Sequence, residues 1–194
     1  MEFTFMSIDK RIIKTRTSIT KAFMELVETN EISSISVSEL AAKALVNRST
    51  FYLHYTDVQS VATDIENGLA ERISAAIDDF SFDDTYGSIY TLFAKLTNRL
   101  EENRTMKRYI VFSTNSDYII SKLKEIFVEK AKKALVTIFN CNEKDIEYSL
   151  TFAVSGLIDC YVKWARSDSS TPLDDVMRKI GKFTEYILST INIR

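Results

Sequence analysis

The sequence predicts an all-α protein of about nine helices, and three observations predict it. Apolar residues recur every three or four positions through almost the whole chain, which is the spacing of amphipathic helices. Only four glycines and one proline interrupt the 194 residues, too few turn-forming residues for a many-stranded β fold. The chain is 45% hydrophobic and 27% charged with a net charge of −2, a profile typical of a globular protein with its own core.

The sequence predicts no membrane span, no signal peptide, no metal site and no cofactor. No stretch approaches ~20 apolar residues, so we expect no membrane span. The first residues do not have the pattern of a signal peptide, and we expect a cytoplasmic protein. Cys141 and Cys160 lie 19 residues apart and the chain has one histidine, so we expect two reduced, partly buried thiols, no metal site and no cofactor.

The first third of the chain has the order of a helix-turn-helix. A helix is predicted over 9–29, with an inner face of Ile12, Ile19, Phe23, Leu26 and Val27. After a polar break, Ser36 and Glu39 have the spacing of a capping box and open a short helix over 37–44. A second short helix follows over 48–54. Two short helices after a longer one form a helix-turn-helix, in which the second short helix enters the DNA major groove.

The remaining periodicity predicts six more helices, over 57–80, 85–102, 105–113, 117–139, 143–167 and 172–191. The last begins at Thr171-Pro172, an N-cap residue followed by proline at the first helical position. The helix over 143–167 is apolar on nearly all of its faces, which is typical of a buried helix.

A motif within this order resembles a known family. The stretch "ISVSELAAKALVNRSTFYLHYTDVQSVATDI", residues 35–65, resembles the DNA-binding signature of the TetR family of bacterial transcription regulators. Its core is S-x-x-E-L-A-x-x-A-x-V followed by N-R-S-T-F-Y-x-H-Y. Beyond it, the likeness lies in helix count, helix lengths and the run "SGLIDCYVKWAR". The resemblance implies a helix-turn-helix DNA-binding domain over 1–56 and a helical regulatory and dimerisation domain over 57–194.

The outer face of the helix-turn-helix carries the predicted DNA contacts. Arginine can read guanine and threonine can contact thymine, while tyrosine and histidine can donate to phosphates. The resemblance implies the same roles for residues at these positions. The predicted contacts are Ser36, Ser38, Asn47, Arg48, Ser49, Thr50, Tyr52, His54 and Thr56.

Two positions depart from the family pattern. Thr56 stands where the family often has lysine, which removes one cationic phosphate contact. Leu45 stands where glycine is usual in the turn, and a left-handed leucine would cost roughly 1–2 kcal/mol. We therefore expect the turn to differ slightly from that of the family.

Other roles remain open for individual residues of this region. His54 and Tyr52 could belong to the core, His54 could act as a catalytic base, and Arg48 could be a solvated charge. Residues 1–56 have a net charge of only +1, which indicates moderate affinity for random DNA. Their basic cluster, which either approaches the DNA backbone or is a solvated helix face, consists of Lys10, Arg11, Lys14 and Arg16.

The last two helices are the predicted dimer interface, because a helix-turn-helix usually reads DNA as a pair. We expect a four-helix bundle formed by 143–167 and 172–191 of two chains, as the resemblance also implies. The alternative is that this stripe is core within one chain. The predicted interface residues are Leu150, Ala153, Leu157, Tyr161, Trp164, Ile180, Phe183 and Ile187.

The middle of the chain is rich in aromatic residues. In the resembling family this region often encloses a small-molecule pocket, and the ligand moves the helix at 57–80. Aromatic residues at helical spacing are also ordinary core, so both readings stay open for the candidates Tyr90, Phe93, Tyr109, Phe112 and Phe152.

The sequence therefore predicts a DNA-binding transcription regulator. We expect a repressor that binds a palindromic operator on double-stranded DNA as a homodimer and is released by a small-molecule effector. The alternative is a regulator controlled by a protein partner, with no small-molecule inducer. An enzyme is not expected, because the chain has no paired catalytic carboxylates, nucleophile motif or phosphate-binding loop.

Overall fold

The computed structural model describes residues 10–80, 87–139, 142–168 and 170–189. These ranges hold nine α-helices, a 3-10 helix at Ile32–Ser34 and no strand. The predicted all-α fold of nine helices is confirmed. The helices are α1 (Lys10–Leu26), α2 (Val37–Lys43), α3 (Arg48–Tyr52), α4 (Val58–Asp78), α5 (Gly87–Glu102), α6 (Arg104–Phe112), α7 (Ser116–Phe139), α8 (Glu143–Arg166) and α9 (Leu173–Ser189).

The first three helices, with the start of α4, form a unit that we call the head. Its core is built from side chains of α1, α2 and α3 that have no exposed surface, among them Ile19, Phe23, Leu40 and Phe51. The predicted inner face of α1 is largely buried, but Ile12 is exposed. Ile12 lies in the first turn of the helix, before the part of α1 that packs on α2 and α4.

Side-chain caps fix where the short helices of the head begin. The Ser36 hydroxyl accepts a hydrogen bond from the Glu39 N–H at 3.1 Å, so α2 begins after Ser36 as predicted. The reciprocal bond of a capping box is not found at Ser36 among the bonds of the described chain. It forms instead at the start of α4, where Asp57 and Ser60 each accept a bond from the other's backbone N–H. Each cap satisfies an N–H that the helix itself leaves unpaired.

The turn between α2 and α3 places Leu45 in the left-handed conformation that we expected the turn to avoid. Leu45 has a φ of 57°, the left-handed region that glycine usually occupies. The Leu45 N–H donates to the Ala42 carbonyl and the Val46 N–H donates to the Ala41 carbonyl. These bonds hold the tight turn in place despite the strain of a β-carbon at that angle.

The second unit, the body, comprises the rest of α4 and α5–α9. Helix α8 packs against both α7 and α9 and lies at its centre. Four predicted interface residues of α8, namely Leu150, Ala153, Leu157 and Tyr161, are buried within the single chain. They are core of the single chain, as the intramolecular alternative has it, and a part for them in a contact between chains stays a prediction.

Gly181 shows how closely α5 and α9 approach. A β-carbon built at Gly181 would lie 2.7 Å from Cδ2 and 2.9 Å from Cγ of the Tyr90 ring. The ring of Tyr90 therefore occupies the space above this glycine. Tyr90 is a packing residue between α5 and α9.

The helix ends agree with the predicted ranges to within a few residues, and α9 begins at Leu173, one residue after Pro172. The predicted end of α9 at residue 191 and the thiol of Cys141 lie outside the described residues. Cys160 is a free cysteine and is exposed, not partly buried as expected. None of the helices described has the length and apolarity needed to cross a membrane.

Candidate nucleic-acid interface, internal cavity and aromatic face

The predicted DNA contacts all lie on accessible surface of the head. Seven of them are exposed, while Thr50 and His54 are partly buried. Tyr52 keeps 50% of its surface exposed and meets the buried ring of Phe51 edge-on, with ring centroids 5.7 Å apart. Neither Tyr52 nor His54 is a core residue. The exposed residues are Ser36, Ser38, Asn47, Arg48, Ser49, Tyr52 and Thr56.

The start of α3 is organised by Asn47. The Asn47 carboxamide oxygen accepts a hydrogen bond from the Thr50 N–H and another from the Ser49 hydroxyl, each at 2.7 Å. The side chains of Asn47 and Ser49 thus serve first to cap α3. Arg48 stands at the first position of this helix with its side chain exposed. The cap thus leaves an exposed cation at the first position of α3, the second short helix of the helix-turn-helix.

A network of three side chains ties the head to α4. The Arg16 guanidinium donates to Asp64 Oδ1 on α4, and the Tyr55 hydroxyl donates to Asp64 Oδ2 at 2.7 Å. Arg16 also lies over the Tyr55 ring, 4.9 Å from its centroid. Burial, and then the hydrogen bond to Asp64, raises the pKa of Tyr55 above its usual range. Tyr55 therefore stays a neutral donor to Asp64 at any physiological pH.

This network divides the predicted basic cluster of α1. The Arg16 guanidinium is paired with Asp64, although its side chain is 41% exposed. Lys10, Arg11 and Lys14 are exposed in the first turns of α1. These three exposed residues precede Arg16 on α1.

A cavity of about 460 Å³ opens in the body between α4, α5, α7 and α8. Its walls are mostly apolar, and its volume is in the range of small-molecule sites in proteins. The residues that line it include Leu69, Arg72, Ile73, Ala76, Asp79, Phe93, Thr97, Arg99, Asn103, Leu123, Phe127, Ile158 and Tyr161. In the described chain, no group of three or more His, Cys, Asp or Glu side chains is placed to hold a metal ion.

Of the five predicted pocket residues, Phe93 lines this cavity and the other four do not. Tyr90 covers Gly181 on α9. Tyr109 is buried beside Phe23 at the boundary of head and body, with ring centroids 6.1 Å apart. Phe112 and Phe152 are exposed. The aromatic pattern of the sequence did not predict that α4 and α7 line the cavity, although both helices carry apolar residues at helical spacing.

A set of exposed aromatic side chains lies on α8 and α9, and we call it the aromatic face. It consists of Tyr148, Phe152, Phe183 and Tyr186, which are between 67% and 82% exposed. On α8 the pair Tyr148 and Phe152 is one helical turn apart, on the side of the helix opposite to the buried Leu150 and Leu157. Helices α8 and α9 pack against one another, and each contributes two of these exposed side chains. The i, i+4 spacing of Tyr148 and Phe152 was the available sequence signal for it.

Comparisons with known proteins agree with this architecture. A family model of the TetR class, described as "Transcriptional regulator C-terminal region", matches residues 87–186, which is more than half of the chain. The structure resembles that of a TetR transcriptional regulator from Streptococcus agalactiae with a TM-score of 0.61 and 21% sequence identity, over 91% of this chain and 97% of the other. At that identity the likeness establishes the fold.

Two curated proteins are similar in sequence over part of their length. The chain is 30% identical over 98 residues to the uncharacterized HTH-type transcriptional regulator YxbF of Bacillus subtilis, a match that covers 47% of this chain and 26% of YxbF. It is 34% identical over 83 residues to the HTH-type dhaKLM operon transcriptional activator DhaS of Lactococcus lactis, covering 42% of this chain and 44% of DhaS. The matched regions thus span less than half of each curated relative.

Proposed function

Because the chain belongs to the TetR family of transcription regulators, we propose that it binds a palindromic DNA operator as a homodimer and represses transcription by occupying that site. Residues 1–56 would read DNA, and residues 57–194 would pair the chains and sense an effector. The observation that carries the proposal is the exposed polar surface of α2 and α3. There, Arg48 and Tyr52 stand on a short capped helix above a fully buried Phe51.

The residues of this surface have separable roles in the proposal. Arg48 reads base edges, because a guanidinium can donate two parallel bonds to guanine. Tyr52 and His54 donate to phosphates and fix the register of the helix on the duplex. The exposed hydroxyls of Ser36, Ser38 and Thr56 would contact phosphates at the edges of the site.

Pairing of two chains is proposed to occur through the aromatic face. Four large aromatic side chains on two adjacent helices are too much exposed apolar surface for a chain that acts alone. Burying them against the same face of a second chain gives a symmetric interface rich in tyrosine and phenylalanine. Of the predicted interface residues, Phe183 belongs to this face, and the partly buried Trp164, Ile180 and Ile187 are candidates for its rim. Two heads would then reach successive major grooves, about 34–36 Å apart.

The cavity is proposed as the effector site. Helix α4 links it to the head, because Asp64 holds Arg16 and Tyr55 while Leu69, Ile73 and Ala76 line the cavity further along the same helix. A ligand that prefers one position of α4 would therefore bias the position of the head. The effector would release the DNA if it favours the position in which the two heads no longer fit successive grooves.

Activation is the second candidate mode, and one observation favours it. The relative DhaS is named as a transcriptional activator, so a head of this kind can serve either direction of control. A promoter–reporter fusion carrying the operator separates the two modes in cells. Repression predicts higher reporter output when the gene is deleted, and activation predicts lower output.

The experiment that tests DNA binding is iterative selection from a random duplex library at fixed salt, using the purified chain. We expect one palindromic site to be enriched. Tyr52→Ala and His54→Ala should weaken binding to it, and Arg48→Gln should relax the base preference at one position of each half-site. Arg178→Gln serves as the matched control, because it removes an exposed arginine of α9 that pairs with Asp175. The absence of enrichment with a folded dimer would contradict the proposal.

A further inference from the structure

We propose that the ligand of the cavity is an amphiphilic anion, an apolar chain or ring system that ends in a carboxylate, with Arg72 and Arg99 holding the carboxylate. The inference rests on the proposed effector role of the cavity and names the chemical class of that effector. It is based on three kinds of side chain in the cavity wall. They are apolar side chains, polar side chains that are hydrogen-bonded within the chain, and arginines that form no ion pair.

Most of the wall favours an apolar ligand. Helices α4, α5, α7 and α8 each turn aliphatic or phenyl side chains into the cavity, including Ile73, Phe93, Leu123, Phe127 and Ile158. The rings of Phe93 and Phe127 meet edge-on with centroids 6.3 Å apart, which gives that side a rigid surface. A ligand gains affinity here by removing apolar surface from water.

Three uncharged polar side chains of the wall already form hydrogen bonds within the chain. The Thr97 hydroxyl donates to the carbonyl of Phe93 at 3.1 Å. The Asn103 side-chain oxygen caps α6 by accepting the Met106 N–H. The Tyr161 hydroxyl donates to Glu101 Oε1 at 2.7 Å. A neutral polar ligand such as a sugar would have to compete for these groups, so the wall does not favour it.

The charged groups of the wall are different. Arg72 on α4 and Arg99 on α5 both line the cavity, and neither forms an ion pair with a carboxylate of the described chain within 4.0 Å. Asp79, the acidic residue of the wall, directly follows the last residue of α4 and is seven positions after Arg72. It is therefore about 10 Å away along the helix axis. One end of the cavity thus carries two guanidinium groups that form no ion pair within the described chain.

The two arginines lie at the end of the cavity that faces the head. Arg72 and Asn103 also border a neighbouring cleft against α1, together with Arg16 and Asp64. Arg99 lies four residues before Asn103, so it is at the same end. A carboxylate bound there can accept hydrogen bonds from both guanidinium groups. Its tail would extend along the apolar wall toward the other end, where Asp79 repels a second negative charge.

This placement gives the anion a direct mechanical effect. Arg72 and Asp64 are on the same helix, and the bonds of Asp64 to Arg16 and Tyr55 hold the head to it. Pulling Arg72 toward a carboxylate shared with Arg99 draws this part of α4 toward α5. A neutral ligand of the same length would fill the cavity without exerting that pull, so occupancy and regulation can be measured separately.

Direct titration of the purified, DNA-free chain tests the ligand class. The probes are decanoate, 1-decanol and decyltrimethylammonium at concentrations below those at which they form micelles, followed by calorimetry. Quenching of the single tryptophan, Trp164, gives a second readout, because its ring lies 6.2 Å from that of the cavity residue Tyr161. We expect decanoate to bind at least about tenfold more tightly than decanol, and the cation not to bind.

Charge-removing variants test the assigned residues. Arg72→Gln and Arg99→Gln should each weaken decanoate binding about tenfold and leave decanol binding unchanged, and Arg72→Lys should restore part of the loss. Arg104→Gln is the matched control, since Arg104 is an exposed arginine near the cavity that does not line it. Folding of each variant is checked by circular dichroism, and all three substituted positions are exposed.

Several results would overturn the inference. They are equal binding of decanoate and decanol, preference for the cation, binding of none of the probes, and an Arg104→Gln effect as large as that of Arg72→Gln. None of these outcomes affects the proposal that the chain binds DNA, because the titration contains no DNA and operator binding is measured on the same preparation without ligand.

Discussion

The head and the body use their apolar residues differently. In the helix-turn-helix of the head, the large side chains Leu40 and Phe51 are fully buried, and most of the outward positions are polar. The body distributes its apolar residues over three surfaces, which are a core around α8, the wall of a cavity and an exposed aromatic face. The head therefore has one surface left for a partner, whereas the body has two.

This difference shows where regulation can enter the molecule. The head has one small core and one outward face, so we expect it to move as a rigid unit. Its DNA binding then depends on how that unit is positioned. The body can change, because a cavity and an exposed apolar face are both incomplete packing that a ligand or a second chain can fill. Helix α4 belongs to both units and is the element through which such a change would reach the head.

The largest effect is expected from the core of the head. Phe51→Ala removes a fully buried ring that contacts Tyr52 and Tyr55, and it should lower the free energy of unfolding by about 3–5 kcal/mol. Leu53→Ala, two residues later on an exposed side chain, should change it by less than about 0.5 kcal/mol. Urea denaturation followed by circular dichroism measures both. Similar losses of unfolding free energy in the two variants would mean that burial of Phe51 does not stabilise the head.

The network between head and body is expected to give the next largest effect. Asp64→Asn breaks the ion pair with Arg16 and weakens the bond from Tyr55. Because the paired side chains are 41% and 36% exposed, we expect a loss of only about 1–2 kcal/mol. Operator affinity should fall as well, since the bonds of Arg16 and Tyr55 to Asp64 no longer fix the position of α1 and α3 on α4.

Glu129→Gln is the control for that substitution, because it breaks an exposed pair with Lys133 within α7. We expect it to change stability by less than about 0.5 kcal/mol and to leave operator affinity unchanged. A gel-shift titration at fixed salt compares the two variants. If both bind the operator equally well, the network has no part in positioning the head.

Packing inside the body is tested by two glycines with opposite expected signs. Gly181→Ala places a methyl group against the Tyr90 ring and should destabilise the chain by about 1–2 kcal/mol. Gly68→Ala adds a methyl group where no atom lies within 4 Å and should stabilise α4 by about 0.5–1 kcal/mol. Thermal unfolding measures the difference. A stabilising Gly181→Ala would show that Tyr90 does not occupy the space above it.

The smallest effect is expected at the turn of the head. Leu45→Gly relieves a left-handed leucine that is 93% exposed, and it should raise the free energy of unfolding by up to about 1 kcal/mol. Leu53→Gly, at an ordinary helical φ of −73°, should lower it by about 0.5–1 kcal/mol. A destabilising Leu45→Gly would mean that the leucine side chain makes a contact worth more than the strain.

The sequence could predict the head in detail because its signals are local. A cap such as Ser36 or Asn47 acts on a backbone N–H three residues away, and Phe51 has only one face of a short helix to occupy. The body is harder to predict, since α8 is apolar on several sides and spacing alone does not decide which side faces solvent. Phe152 and Leu150 look alike in sequence, yet one is exposed and the other fully buried. The sequence indicated that a left-handed Leu45 would be unfavourable, and it therefore did not predict the strained turn that forms.

The most direct test concerns pairing of two chains through the aromatic face. Two heads can bind successive major grooves together only if their bodies are paired. Sedimentation equilibrium would measure the mass of the chain alone and bound to its selected operator. We predict two chains in both cases, and a single chain in solution for the double variant Phe152→Glu, Phe183→Glu. Tyr118→Glu, which alters a half-exposed aromatic residue on α7, should remain a dimer. A parent chain that stays single at all concentrations, or a double variant that still pairs, would contradict the account.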